Sequence, residues 1–345
     1  MHYALRNRLL VLLSALLCFT VLDRSIHAAE PPRTVGEVKR YDPALDKLIS
    51  PDAKMEVIGE GFEWCEGPIW SEKLNRLFFS DIPNNAVMQW QPGNGVSVYL
   101  KPAGYTGASP RGGESGSNGL TVDCDGSLIL CQHGDRRVAR LAWTADKKPK
   151  FITIADRYDG KRFNSPNDAV VHSSGAIYFT DPPYGLEKGM DDPAKELPFQ
   201  GIYRVTPDGK ITLLTKELER PNGIAFSPDE KTLYVANSHE PRPIIMAFPV
   251  NSDGTLGKGR EFFNAKKILD QPGACDGLAV DRQGNVFATI PGGVGIFSPD
   301  GKQLGLLATG DRTANCKFGE DGATLFICAN HNLLRIRTNT KGAGF

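Results

Sequence analysis

The chain has 345 residues, 40% of them hydrophobic, so it can bury a large core as one big all-β domain or as two smaller domains. Its 40 Lys and Arg balance 40 Asp and Glu. That balance gives no support to a nucleic-acid surface or a polyanionic partner and leaves a small molecule as the expected one.

The first element in chain order is a targeting segment. Arg6 and Arg8 precede the apolar run 9–22, "LLVLLSALLCFTVL", and small residues stand at Ala28 and Ala29. The run falls short of the about 20 apolar residues that span a bilayer, and the pattern is that of a secretory signal peptide over residues 1–29. Cys18 follows Leu17 rather than a small residue, which argues against a lipid anchor. The mature chain, 30–345, is expected to be exported to the periplasm or the medium, with no membrane contact after cleavage. Six cysteines then remain: Cys65, Cys124, Cys131, Cys275, Cys316 and Cys328. An oxidising compartment permits disulfides, but six cysteines allow fifteen full pairings and the sequence does not choose among them. No CxxC pair or His-rich spacing suggests zinc.

From residue 66 onward one plan recurs: an acid or amide, often a glycine, an apolar strand, a polar turn and a second apolar strand. The segments are "EGPIWSEKLNRLFFSD", "NGLTVDCDGSLILCQ", "NDAVVHSSGAIYFTD", "NGIAFSPDEKTLYVANS", "DGLAVDRQGNVFATI" and "NCKFGEDGATLFICAN", headed by Glu66, Asn118, Asn167, Asn222, Asp276 and Asn315. The intervals are 52, 49, 55, 54 and 39 residues, mostly near the roughly 50-residue period of a propeller blade. Each segment follows hairpin grammar, and further short strands such as "VMQWQ", "VSVYL", "GIYRV" and "ITLLT" follow most of them. Four strands in each of six repeats predict an all-β, six-bladed propeller in a single domain over 30–345. "KMEVIG" at Lys54 has no blade of its own, and is predicted to complete the sixth blade and close the ring. The short last interval predicts an abbreviated outer strand in the fifth blade.

In a propeller the innermost strand lines the central channel, so the six heading residues converge on one axis as a ring of oxygen donors. Asn-Gly and Asp-Gly are also common turn dipeptides, and any one of them alone reads as a turn. Six in register point instead to a central-channel metal site. Two carboxylates and several amide carbonyls, without imidazole or thiolate, suit Ca²⁺, which takes six to eight such oxygens; Mg²⁺ and Mn²⁺ are the other divalent candidates.

"EGP" at Glu66, "CQHGDRRV" at Cys131, "FNSPND" at Phe163, "FTDPPYG" at Phe179, "RPNGIAFSPD" at Arg220 and "DGLAVD" at Asp276 together resemble the SMP-30/gluconolactonase/LRE-like family over nearly all of the mature chain. The chain looks closer to the bacterial gluconolactonases, which share the SPND and TDPPYG motifs. The resemblance implies a divalent cation, usually calcium, held by Glu66, Asn167, Asn222 and Asp276. The animal branch reads "RFND" where this chain has "RFNSPND", and Asn167 is the asparagine that keeps register with the following strand. It further implies hydrolysis of a sugar lactone such as an aldonolactone, the cation polarising the carbonyl and stabilising the oxyanion.

Two residues are candidates for the base that deprotonates water. Asp276 can share its carboxylate between ion and water, although a cation lowers its basicity. His133, in "QHGDRRV" where relatives more often read "EHGNRRV", offers an imidazole, the side chain most often used as a general base. Asn118, Arg162, Asn164 and Tyr184 are the candidate substrate contacts, with Asn118 also a water-mediated contact to the metal. A metal-dependent aryl-ester or phosphotriester hydrolase and a non-catalytic binding propeller are the alternatives on the same fold.

Overall fold

Alternating apolar residues, broken by Gly, Asp, Ser and Pro turns, fold each repeat into an antiparallel sheet, and six such sheets make a six-bladed propeller. The computed structural model describes residues 32–345, and the expected leader lies outside them. Blade 1 runs from Cys65–Ser71 through Arg76–Asp81 and Ala86–Gln91 to Gly95–Leu100. Blade 2 begins at Ser117–Val122, blade 3 at Ala169–Val171, blade 4 at Pro221–Phe226, blade 5 at Leu278–Val280 and blade 6 at Thr313–Gly319. Among the described residues helix is confined to three short 3-10 turns.

The ring closes as its sequence suggests. Met55–Glu60 pairs antiparallel with Asn332–Arg337, supplying the fourth strand of blade 6. Blade 5 departs from expectation, because its fourth strand, Gln303–Ala308, is full length and Glu37–Arg40 adds a fifth beyond it. The short interval comes from a tight turn at Pro291 and Gly292 between Val286–Ile290 and Gly293–Phe297. Gly293, at φ 143, permits that turn, since a Cβ there would lie 2.0 Å from the Leu307 carbonyl oxygen.

Packing follows the ring. Six apolar clusters fill the six seams between neighbouring blades. At the seam of blades 6 and 1, Cys65, Trp70 and Phe79 meet Phe326, Cys328 and Leu333. At the seam of blades 2 and 3, Ile129 and Val138 meet Phe163, Phe179 and Tyr203. Each fully buried Phe of this kind contributes about 1.5–3 kcal/mol of transfer free energy.

The inner strands are irregular where the heading residues stand. Their pairing slips at Glu66, beside Asn118, at Asn222 and next to Asn315. In blades 3 and 5 the strand starts only after Asn167 and Asp276. Bulges re-aim side chains beside functional sites. Here the departures from regular pairing recur in every blade at the same mouth of the channel.

The glycines after the heading residues show why a turn reading fails. Gly67 has a left-handed φ of 54, but Gly119, Gly223 and Gly277 do not adopt that region. A Cβ on Gly223 would lie 2.3 Å from the Asp276 carbonyl oxygen, and one on Gly277 would lie 1.9 Å from Asn315 Cγ. Those glycines let neighbouring inner strands crowd around the axis. Blade 3 carries Asp168 at the same place, and its carboxylate fills the space left by Gly119.

Candidate active site

Two sets of hydrogen bonds hold the heading residues in place. Residues at the ends of second strands fasten the loops in front of them. Asp81 accepts from the backbone N–H of Glu63 and Trp64, Asp181 from those of Asn164 and Ser165, and Asn237 Oδ1 from that of Arg220. Hydroxyls then brace one blade against the next. Ser80 donates to the Asn118 carbonyl, Thr180 to that of Asn222 and Ser238 to that of Cys275, each at 2.7 Å.

Within this frame the amides face the axis unequally. Asn222 donates through Nδ2 to Ser238 Oγ at 2.9 Å, turning its oxygen away from that bond. Asn167 Nδ2 lies 3.5 Å from His133 Nε2. Asn118 Oδ1, Asn167 Oδ1 and Asp276 Oδ1 are buried without any hydrogen-bond partner. Unsatisfied buried oxygens are costly, about 1–3 kcal/mol each, so several at one mouth point to something that binds there.

Asn315 corrects the expected ring of six oxygen donors. Its Oδ1 accepts from the Cys316 backbone N–H at 2.9 Å, and its Nδ2 donates to Glu66 Oε2 at 3.1 Å. It therefore orients Glu66 rather than offering oxygen to the axis. Glu66 also accepts from the Gly67 backbone N–H.

The carboxylates repel one another. Burial, then the charge of Asp168, pushes Glu66 from 4.5 up to about 8. Asp276 is held well above the usual carboxylate range by burial, with Glu66 and Asp168 adding to it. Asp168 is also raised by burial, and its Oδ2 has no partner. A divalent cation would offset this repulsion and satisfy the orphaned oxygens, so the donor set fits a hard ion. Among the described residues no three His, Cys, Asp or Glu side chains form such a site by themselves, which makes the amides of Asn167 and Asn222 essential to the fit.

His133 is fully buried, and its Nδ1 lies 3.0 Å from Glu114 Oε2. The two atoms are close but not aligned as a hydrogen bond, and Nε2 faces the Asn167 amide. Arg111 braces the surrounding loops by donating to the carbonyls of Gly134 and Gly185. Tyr184 belongs to the same mouth. Burial pushes its hydroxyl up to about 12, a hydrogen bond to Ser238 opposes this, and the charge of Asp276 adds to it.

The remaining expected contacts are differently placed. Asn164 is fully buried and gives both amide protons to the carbonyls of Asp181 and Phe199, at 3.0 and 2.9 Å. Arg162 donates to the Asp135 carbonyl at 2.7 Å. Both fasten loops in this structure. Glu114, Asp168, Ser238 and Arg111 were not singled out from sequence. Ser238 and Asp168 do have a signal, since each adjoins a repeated position, the end of a second strand and a heading residue. Glu114 and Arg111 lie in the loop between blades 1 and 2, outside any repeat.

Fold and site together define a six-bladed propeller with an acid-and-amide cluster, suited to a hard cation, at one mouth of its channel. The chain belongs to the SMP-30/gluconolactonase/LRE-like family, whose region matches residues 64–331. It is 43% identical over 317 residues to a gluconolactonase of Zymomonas mobilis subsp. mobilis, covering 90% of this chain and 88% of the relative. A regucalcin of Xenopus laevis is 26% identical, covering 76% of this chain and 81% of that protein. Among solved structures, a gluconolactonase of Xanthomonas campestris superposes with a TM-score of 0.77 at 33% identity, covering 91% of this chain and 99% of the other.

Proposed function

We propose that this chain is a calcium-dependent lactonase that opens a sugar lactone of the aldonolactone class. The similarity to gluconolactonases over nine-tenths of the chain supports the reaction. The observation that carries the ion is the set of unpartnered buried oxygens, Asn118 Oδ1, Asn167 Oδ1 and Asp276 Oδ1, beside Glu66. Glu66, Asn167, Asn222 and Asp276 would hold the ion. When bound, the ion supplies Lewis-acid polarisation of the lactone carbonyl and charge for the developing oxyanion.

The chain's own groups supply the rest. The Asp276 carboxylate oxygen not turned to the ion takes a proton from the attacking water, whose oxygen adds to the carbonyl carbon. The ring C–O bond then breaks and the leaving oxygen takes up a proton, giving the open hydroxy acid. Asp276 is preferred to His133 because its carboxylate can hold the ion through one oxygen and offer the other to water, whereas His133 Nε2 faces the Asn167 amide. His133 instead keeps the Asn167 oxygen turned to the axis. Asn118, whose Oδ1 is unpartnered, and Tyr184, held by Ser238, are the side chains at this mouth placed to meet substrate hydroxyls.

A substrate screen run with and without Ca²⁺ tests this. Lactone turnover that chelation abolishes and Ca²⁺ restores is the expected result, with Mg²⁺ and Mn²⁺ titrated in parallel. Turnover of aryl esters or phosphotriesters in place of lactones would move the substrate class, and ion binding without any turnover would make the chain a binding propeller. The leader at 1–29 is proposed to direct export, which N-terminal sequencing of protein recovered from the periplasm or medium would check.

A further inference from the structure

We infer that Cys65 and Cys328 are a disulfide-forming pair that locks the inner side of the ring closure when the protein folds under oxidising conditions. Their sulfurs lie 2.7 Å apart and both residues are fully buried. No other pair among the six cysteines of the described residues is brought sulfur to sulfur. Of the fifteen pairings that six cysteines allow, the fold therefore favours those containing this one bond.

Position gives the pair its meaning. Cys65 opens the inner strand of blade 1, and Cys328 lies on the second strand of blade 6, opposite Asn315. They are 263 residues apart in sequence yet face each other across the seam where the first and last blades meet. The backbone is already joined there: Cys65 N–H donates to the Asn330 carbonyl at 2.9 Å, and Gly61 N–H to that of His331 at 3.0 Å. The outer side of the same closure is held by Met55–Glu60 on Asn332–Arg337. A Cys65–Cys328 bond would add a covalent closure at the inner side, one residue before Glu66. Cross-linking so long a loop restricts the unfolded chain strongly.

The chemistry is thiol–disulfide exchange. The two thiols lose two protons and two electrons, a sulfur–sulfur bond forms, and an external disulfide such as oxidised glutathione is reduced to two thiols. Both sulfurs are sealed among Phe62, Trp70, Phe79, Phe326 and Leu333. The bond must therefore form before the seam closes, and the folded protein protects it from reductant.

The test is disulfide mapping of the full mature chain refolded in a glutathione redox buffer, with free thiols alkylated in denaturant before digestion. The expected result is one linked peptide pair carrying Cys65 and Cys328, lighter by two hydrogens than the reduced pair. Reduction in denaturant followed by refolding with reductant should lower the Tm. Cys65→Ala should have a Tm insensitive to reductant; if that variant does not fold, the wild-type map decides alone. Recovery of Cys65 and Cys328 both alkylated, or linked to other cysteines, overturns the inference.

Discussion

The two mouths of the channel are built from the same six inner strands, yet only one has the chemistry of a site. Where the strands end lies a cavity of about 800 Å³ lined in part by Trp70, Lys73, Cys124, Phe226 and Lys317. Its turns satisfy themselves. Asp123 accepts from the backbone N–H of Asp125 and Ser127 and from Arg140, and Lys73 donates to the Asp125 carbonyl. Where the strands begin, buried oxygens of Asn118, Asn167 and Asp276 have no partner. Volume marks where a molecule fits, whereas unsatisfied, mutually repelling groups mark where one is needed.

The sharpest way to break this contrast is to remove the uncommitted carboxylate. Asp276→Asn keeps an oxygen and the side-chain size but loses charge and basicity, so turnover should fall by roughly two to four orders of magnitude. The assay is kcat on an aldonolactone at saturating Ca²⁺, since metal affinity will fall as well. His133→Gln should cost less. An Asp276→Asn enzyme that stays nearly active beside a dead His133→Gln enzyme would hand the base role to His133.

The next effect is on the ion itself. In the free site burial and the charge of Asp168 raise Glu66 to about 8. Below that pH the ion must displace the Glu66 proton, which should add about a tenfold rise in calcium affinity per pH unit, a contribution that levels off above pH 8. Calorimetry should show Glu66→Gln binding Ca²⁺ far more weakly and without the Glu66 share of that slope, while circular dichroism shows the propeller folded. Asp168→Asn removes the second-largest cause of the rise, so the levelling-off should move to lower pH. Unchanged affinity in Glu66→Gln would take Glu66 out of the site.

A smaller loss is expected one step back from the axis. Glu114 Oε2 stands 3.0 Å from His133 Nδ1, and His133 faces the Asn167 amide. Glu114→Gln should therefore lower calcium affinity about 10- to 100-fold, the usual cost of losing an outer-shell partner. Because Gln keeps a side chain of the same size beside the imidazole, Glu114→Ala should be worse than Glu114→Gln. Equal and unchanged affinities in both variants would reduce Glu114 to a loop charge.

How far the sequence was legible follows from the range of the interactions concerned. Hairpin grammar is local, so the six repeats, the closing strand at 55–60 and the heading residues could all be placed. The orientation of Asn315 was not legible, because it depends on Glu66, which is 249 residues distant in sequence. The fifth strand of blade 5 was missed because Glu37–Arg40 finds Gln303–Ala308 only once the ring exists. Glu114 reaches the site from an irregular loop, where no period marks it. The second-strand ends Asp81, Asp181 and Asn237 were visible as repeated letters, but their task of fastening the preceding loop is seen only in hydrogen bonds.

The smallest effect is predicted at the mouth where the inner strands end. Cys124 is exposed there and Lys73 makes one long hydrogen bond of 3.2 Å to a carbonyl. Neither removes a core contact or strands a buried polar group when replaced, and such surface changes usually stay within about 0.5 kcal/mol. Cys124→Ser and Lys73→Ala should thus leave kcat/KM for the lactone, calcium affinity and Tm close to those of the unaltered protein. The two mouths are joined by the axis, with Lys317 drawing Asp168 downward from below while burial raises it. A large loss of turnover in Cys124→Ser or Lys73→Ala would mean that substrate or product uses this opening. The functional division between the mouths would then fail even if every ligand at the other one were assigned correctly.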